Sequence, residues 1–326
     1  MNTDPSRLAL RNATILIFTA VLVLFGLVAP GFLSPENLFN IVKQSSFIGI
    51  AAIGITFVLL TRGIDLSVGS VMYLGPLIAG FAMRDYGVGV AGGFAVAILA
   101  GLAMGAINAF FIVRLGIAPF IVTLATLFFF RGAGTWMTSS RQFDFDREML
   151  DFGLSSVAGI PVPILLFALA LVIAHLTLTR TTFGKQVYAI GADPEAAEKA
   201  GIRTGTIETG VFLISATTAS IAGFVLISQI GRLDVAFGEG REFDVIAAAV
   251  LGGASLFGGV GTAWGTAVGA TLIQTVKTGL IFSGINLYLQ PIALGLVIFV
   301  AVLLDSLRAW RLQVSQRRAI RAEVGD

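Results

Sequence analysis

Seven polar side chains lie in or beside long apolar runs, and their chemistry is hydrogen bonding. They are Asp65, Ser67, Asn108, Thr123, Gln229, Ser255 and Gln274. All but Asp65 are uncharged, and hydroxyl and amide groups can donate to and accept from the hydroxyls of a neutral cargo such as a sugar. Each one alone is also consistent with an ordinary hydrogen bond between membrane helices. Together they are candidates for a pathway or gate.

Residue types needed for catalysis or metal binding are scarce. His175 is the only histidine, there is no cysteine, and no Gly-x-x-x-x-Gly-Lys-Ser/Thr sequence is present to cradle phosphate. No nucleophile and base, and no metal-ligand set, stand together in the sequence. We therefore expect a protein that is not an enzyme and carries neither metal nor cofactor, with any ATP hydrolysis on a separate chain.

The stretch TRGIDLSVGS, residues 61–70, interrupts two apolar runs with charge and glycine. Its glycines allow a backbone break, and Asp65 or Ser67 can cap the helix that follows. Either Asp65 pairs with Arg62 in a hydrated turn, or Asp65 and Ser67 face a transport cavity. Non-helical backbone at membrane depth persists only when it is buried in protein or lines water.

The composition places the chain in a membrane. Hydrophobic residues make up 56% and charged residues 12% of the 326, whereas soluble domains carry about 25% charge. A spanning helix needs roughly 20 apolar residues, so about ten fit. We predict an all-α polytopic membrane helix bundle that forms a single transmembrane domain over 1–326. The spans are expected near 13–29, 45–60, 66–83, 88–112, 118–138, 161–179, 208–230, 243–257, 262–282 and 287–305.

Basic residues orient these spans. With the N-terminus inside, thirteen of the 21 lysines and arginines fall on the cytoplasmic side and six outside, as the positive-inside rule requires. An even number of spans puts both tails, 1–12 and 306–326, in the cytoplasm. The basic residues form no patch with interleaved aromatics, which argues against a nucleic-acid partner.

The inner loop, residues 180–207, contains the start and stop signals of one short helix. Asp193 is an N-cap type, Pro194 suits the first helical position, Glu195 complements the dipole, and Gly201 can close the C-terminus. Ala196 and Ala197 give the helix a small apolar side. About two turns are not stable alone in water, so we expect the helix to pack against something, either as a capped surface helix or in the groove of a partner.

Four ordered motifs resemble the permeases of ribose-type ABC importers. They are FLSPENLFN (32–40), RGIDLSVGS (62–70), AIGADPEAAEKAGI (189–202) and LGGASLFGG (251–259). Glu195-Ala196-Ala197 followed by Gly201 resembles the EAA-x-x-x-G signature that such permeases present to their ATPases, although the usual later Ile-x-Leu-Pro is replaced by ETGVFLIS. Glu242 and Asp244 resemble the acidic entry of their segment, an outer mouth where a binding protein releases its sugar; a solvated acidic rim is the alternative.

The resemblance implies a bacterial inner-membrane subunit that moves a ribose-like monosaccharide inward by alternating access. Its implied partners are ABC ATPase subunits, a second permease chain that is identical or different, a periplasmic sugar-binding protein and membrane lipid. A permease for branched-chain amino acids or an autoinducer-type furanose is one rival, and an ATP-independent secondary transporter is another.

Two glycine-rich stretches share a pattern. Gly63-Ile64-Asp65-Leu66-x-x-Gly69 and Gly253-Ala254-Ser255-Leu256-x-x-Gly259 agree at an offset of 190 residues. Transporters are often built from repeats with broken helices at corresponding positions. We hypothesise an internal repeat in which both breaks flank one path, which requires them to lie close together in space.

Overall fold

The structure, a computed structural model, describes residues 13–289 and, beyond them, 291–293, 295, 296, 299 and 303. The two predicted cytoplasmic tails, 1–12 and 306–326, and nine of the 19 positions of the tenth predicted span lie outside these residues. The described part is almost entirely helical, as predicted.

The elements follow the apolar runs of the sequence. The helices are α1 (Ala13–Val28), α2 (Pro35–Leu60), α3 (Val68–Tyr86), α4 (Val90–Ala109), α5 (Pro119–Thr138), α6 (Arg147–Leu154), α7 (Val162–Arg180), α8 (Thr182–Ala192), α9 (Pro194–Lys199), α10 (Thr204–Ile230), α11 (Arg241–Leu251) and α12 (Ala263–Phe282). A π-helix, Phe110–Arg114, continues α4, and a 3-10 turn covers Leu287–Leu289. The strands are β1 (Phe143–Asp144), β2 (Ser156–Val157), β3 (Ile160–Pro161) and β4 (Arg232–Leu233).

Five described helices are long and apolar enough to cross a membrane. They are α2, α4 with its π-helical end, α5, α7 and α10, while α1 is a shorter apolar helix. The predicted span 243–257 is wrong, because α11 has only 11 residues. At 1.5 Å per residue it covers about 16 Å, roughly half of a hydrocarbon core.

Helix α10 forms the centre of the bundle. It packs against α2, α3 and α4 along most of its length, and α12 packs against α2 and α11. A Cβ on Gly101 or Gly105 of α4 would stand 2.7 Å from the α10 backbone, so these glycines set how closely the two helices approach. The helices that surround α10 thereby converge on its middle, where the candidate site lies.

The segment 139–160, which connects α5 to α7, contains regular structure of its own. Strand β1 pairs antiparallel with β4, with Phe143 opposite Leu233, and β2 pairs with β3 in a hairpin. Between them, α6 buries Met149 and lays Gly153 against the Ser228 backbone of α10. The segment therefore packs on one end of the bundle.

Candidate pathway and coupling site

Asp65 is fully buried in break 1, the non-helical segment 61–67 between α2 and α3. Its Oδ1 accepts hydrogen bonds from Ser67 N at 2.9 Å and Ser67 Oγ at 2.6 Å, and its Oδ2 accepts one from Ser215 Oγ at 2.8 Å. Ser215 lies near the middle of α10, so break 1 rests against the interior of that helix. The hydrated-turn interpretation is wrong, although Asp65 does bind the backbone at the start of α3.

A chain of hydrogen bonds extends from break 1 into α4 and α5. Asn108 Nδ2 donates to Ser67 Oγ at 2.9 Å, and Thr126 Oγ1 donates to Asn108 Oδ1 at 2.8 Å. Thr123 Oγ1 donates to the carbonyl of residue 64 at 3.1 Å. Two members of this network were not predicted from the sequence. Thr126 repeats Thr123 one helical turn later, and no local pattern marks Ser215.

The other three predicted pathway residues lie elsewhere. Gln229 Nε2 donates to Val225 O within α10, and Ser255 Oγ accepts from Phe257 N in the loop after α11. Gln274 Nε2 donates to Gln44 Oε1 at 2.8 Å and joins α12 to α2. The structure thus brings Asp65, Ser67, Asn108 and Thr123 together and leaves these three apart.

Break 2, the segment 252–262 between α11 and α12, lies directly beside the end of α2. Gly259 N donates to the carbonyl oxygen of Leu60 at 3.0 Å, and Leu60 is the residue just before break 1. Thr56 and Thr266 share a buried hydrogen bond of 2.7 Å between their hydroxyls. The spatial condition of the repeat hypothesis is met, and the shared origin of the two breaks stays a hypothesis.

Helix α8 holds both breaks. Tyr188 Oη donates to Gly261 O of break 2 at 2.7 Å. Arg62 of break 1 donates through Nε to Gly191 O at 2.9 Å and through Nη2 to Ala192 O at 2.7 Å. Arg62 therefore binds the end of α8 and does not pair with Asp65. Burial raises the pKa of the Tyr188 phenol, which keeps the hydroxyl a donor. We call these three bonds the clasp.

The two acids expected at an outer mouth lie in the first turn of α11. Glu242 is only 7% exposed, and a Cβ on Gly69 of α3 would overlap its Oε2. The Asp244 carboxylate accepts from Lys277 Nζ and forms a longer ion pair of 3.4 Å with Arg241. A solvated rim would leave these groups exposed, so that alternative is wrong.

The short helix predicted within the inner loop is present as α9. Asp193 Oδ1 accepts from Ala196 N at 3.0 Å, Pro194 occupies the first position, and Gly201 closes the turn at φ 84°. Ala197 is 4% exposed and faces the bundle, whereas Ala196 is exposed. The two alanines of the predicted small apolar side therefore differ, because Ala197 packs against the bundle and Ala196 is exposed at the surface. Glu195 forms an exposed ion pair with Lys199.

His175 packs its ring against Trp264, with centroids 6.2 Å apart. Within the described ranges, no three His, Cys, Asp or Glu side chains are placed to hold a metal ion. The chemistry that the described groups of this region offer is hydrogen bonding.

Comparison with known proteins gives one family. Residues 37–304 match the family described as branched-chain amino acid transport system / permease component. The ribose import permease protein RbsC of Bacillus subtilis is 36% identical over 291 residues, which cover 87% of this chain and 89% of that protein.

Two relatives in Escherichia coli K12 are also similar along most of their length. Its RbsC is 34% identical over 296 residues, covering 88% of this chain and 92% of the relative. Its D-allose transport system permease protein AlsC is 32% identical over 303 residues, covering 91% and 92%. With its long apolar helices, this protein is a multi-pass inner-membrane transporter subunit, and the chain belongs to the permease-component family of ABC transport systems.

Proposed function

We propose that this chain is the permease subunit of an importer that moves a ribose-like monosaccharide into the cytoplasm, driven by ATP hydrolysis on separate subunits. A second permease chain would complete the channel, and a periplasmic binding protein would deliver the sugar. The observation that carries the proposal is the clasp, because it joins the surface available to an ATPase to both breaks in the bundle.

The mechanical path is short. Helix α9 follows α8 after the single residue Asp193, whose N donates to Ala189 O of α8 at 3.1 Å. Motion applied at Ala196 on α9 therefore reaches α8 without a flexible linker. From α8 it passes through Tyr188 to break 2 and through Arg62 to break 1. A packed bundle with two discrete arrangements would turn that motion into alternating access.

A monosaccharide agrees with the polar groups of the site better than an amino acid does. The side chains of Ser67, Asn108, Thr123 and Thr126 are uncharged. The one acid beside them, Asp65, already accepts hydrogen bonds on both of its carboxylate oxygens. A zwitterion would be expected to require charged or helix-terminal partners. The relatives named for ribose and allose agree with a sugar, although the family description names branched-chain amino acids.

The test is stimulation of ATP hydrolysis by the intact complex, purified with its associated subunits and reconstituted in proteoliposomes. Each member of a panel of D-ribose, D-allose, D-galactose and L-leucine is added with the co-purified binding protein. We expect one of the sugars to stimulate hydrolysis and to accumulate. Stimulation by leucine alone would overturn the monosaccharide assignment. Uptake that persists without ATP but with a proton gradient would favour a secondary transporter.

The clasp gives a sharper variant of this test. Tyr188→Phe removes the donor to Gly261 O and leaves that carbonyl without its partner, a change of about 1–3 kcal/mol for a buried group. We expect ATP hydrolysis to be retained and the sugar transported per ATP to fall. Thr177→Val is the matched control, because Thr177 Oγ1 bonds only within its own helix. Equal transport per ATP in both variants would contradict the path through α8.

A further inference from the structure

Phe257 is a large apolar side chain exposed at the tip of break 2, residues 255–260. It is 80% exposed, and Val260, three residues later, is 61% exposed. A single exposed apolar residue is ordinary on a protein surface. Phe257 differs because its backbone is held in a fixed shape and because the tip borders α9, the helix to which the proposed function assigns ATPase docking.

The tip is closed by its own hydrogen bonds. Ser255 N donates to Val260 O at 2.8 Å across the base, and Gly258 N donates to Ser255 O at 3.1 Å. Phe257 N donates to Ser255 Oγ at 3.1 Å. Gly258 and Gly259 have φ of 83° and 72°, values that glycine adopts without the steric cost of a Cβ. Because the backbone that carries the Phe257 ring is already ordered, a contact made by the ring costs little further chain entropy.

The tip lies against the base of α9. A Cβ on Gly259 would stand 3.1 Å from Ala192 N, and a Cβ on Gly258 would stand 2.9 Å from Gly191 O. Ala192 is exposed and comes immediately before Asp193, the N-cap of α9. The exposed surfaces of the tip and of α9 are therefore continuous.

A protein that docks on α9 needs more surface than α9 offers. Nine residues are exposed between 192 and 203, whereas a stable interface takes about 20–30 residues and about 800 Å² from each partner. A round patch of that area is about 32 Å across. Since Gly259 touches Ala192, chain length keeps the Cα atoms of Phe257 and Ala196 less than about 28 Å apart. An interface of standard size is therefore wide enough to include both side chains.

The backbone of the tip argues for a protein partner and against lipid. Residues 252–262 are not helical, and Gly258 is partly exposed. Irregular backbone that faces hydrocarbon does not occur in membrane proteins, so the tip lies outside the hydrocarbon layer. Aromatic side chains that face water in this way are enriched at the buried centre of protein interfaces.

We propose that the tip of break 2 is a second contact for the ATPase subunit, with Phe257 inserted into an apolar recess of that subunit. The inference rests on the proposed function and adds a docking surface to it. Through Phe257 the ATPase holds break 2, and with it the end of α11, directly. This contact acts alongside the route from α9 through α8.

The first test is photo-crosslinking in proteoliposomes that contain the whole complex. Phe257 is replaced by the photoreactive aromatic p-benzoylphenylalanine, which keeps an aromatic ring at the tip. The same replacement of Lys199, an exposed residue of α9, marks the contact of the proposed function. Tyr86 is the matched control, because it is 84% exposed and ends α3, about 27 Å from break 1. We expect mass spectrometry to identify the ATPase as the product at Phe257 and Lys199 but not at Tyr86.

The second test is the affinity of the purified permease for its ATPase, without photochemistry. We expect Phe257→Ala to weaken ATPase binding about tenfold, a loss typical of an anchor residue at an interface. Tyr86→Ala should change it less than about twofold. Both side chains are exposed, so both variants should keep the melting temperature of the unmodified protein. Equal ATPase affinities of the two variants would overturn the anchoring role of Phe257.

The crosslinking outcomes separate two failures. If the probe at Lys199 captures the ATPase while the probe at Phe257 captures only lipid, residues 1–12 of the permease, or nothing, the second contact is wrong and the proposed function stands. If neither probe captures the ATPase, the ATPase docking of the proposed function fails and the second contact fails with it.

Discussion

Replacing Asp65 tests whether break 1 depends on its buried carboxylate. Asp65→Ala removes three hydrogen-bond acceptor contacts, two from Ser67 and one from Ser215. Hydrogen bonds in membrane proteins contribute about 0.6–1.7 kcal/mol each, so the loss is about 2–5 kcal/mol. Asp65→Asn keeps one oxygen for Ser67, and its amide can donate to the Ser215 hydroxyl, which rotates to accept. We expect the asparagine variant to lose about 1–2 kcal/mol.

The assay is reversible unfolding of the purified protein in mixed micelles, followed by circular dichroism. Thr19→Val is the control, because Thr19 Oγ1 bonds only to Ile15 O on an exposed part of α1. An alanine variant whose free energy of unfolding lies within about 0.5 kcal/mol of the control would refute the reasoning. Three hydrogen bonds at the average of about 0.6 kcal/mol found in membrane proteins would contribute more than that. An asparagine variant as unstable as alanine would show that the charge, and not the pattern of acceptors, holds the break.

Two further predictions concern close packing. Gly69→Ala should abolish assembly or lower the free energy of unfolding several-fold more than Gly132→Ala does. A Cβ at 69 overlaps Glu242 Oε2, whereas nothing lies within 4 Å of a Cβ at 132. Equal yields and melting temperatures of the two variants would contradict this prediction. Ala197→Trp should prevent α9 from seating on its own bundle and lower stability, whereas Ala196→Trp should leave stability unchanged and weaken ATPase co-purification. Identical behaviour of these two variants would show that α9 has no distinct inner and outer faces.

Much of the fold could be predicted because apolar length and local capping decide it. The long helices α2, α4, α5, α7 and α10 correspond to predicted spans, and α9 begins and ends where Asp193 and Gly201 indicated. Helix α11 could not be predicted, because hydropathy does not distinguish a half-length helix followed by buried irregular backbone from one continuous span. The glycine pair at 252–253 marked the end of that helix, but glycine also occurs inside membrane helices.

The site was predictable where polarity stood out against an apolar background. Asp65, Ser67, Asn108 and Thr123 were found in this way, and they do meet. Glu242 was expected at an outer mouth because its segment resembles the acidic entry of ribose-type permeases, with a solvated rim as the alternative. Its burial depends on how the loop before α11 folds back onto Gly69, a long-range contact that no local pattern encodes.

The two breaks are held by different forces, and this difference suggests which one moves. Break 1 is fixed by side-chain hydrogen bonds from α4, α5 and α10, which must all be broken before it can shift. Break 2 has four glycines at positive φ, and it is tied to the rest of the protein mainly by Tyr188 and by Leu60 O. Force applied through α8 therefore meets less resistance at break 2, so α11 should tilt while α3 stays in place. Amide hydrogen exchange measured during ATP turnover checks this expectation. The amides of 252–262 should exchange faster, while those of 61–67 remain protected. Equal acceleration of exchange in both breaks would contradict it.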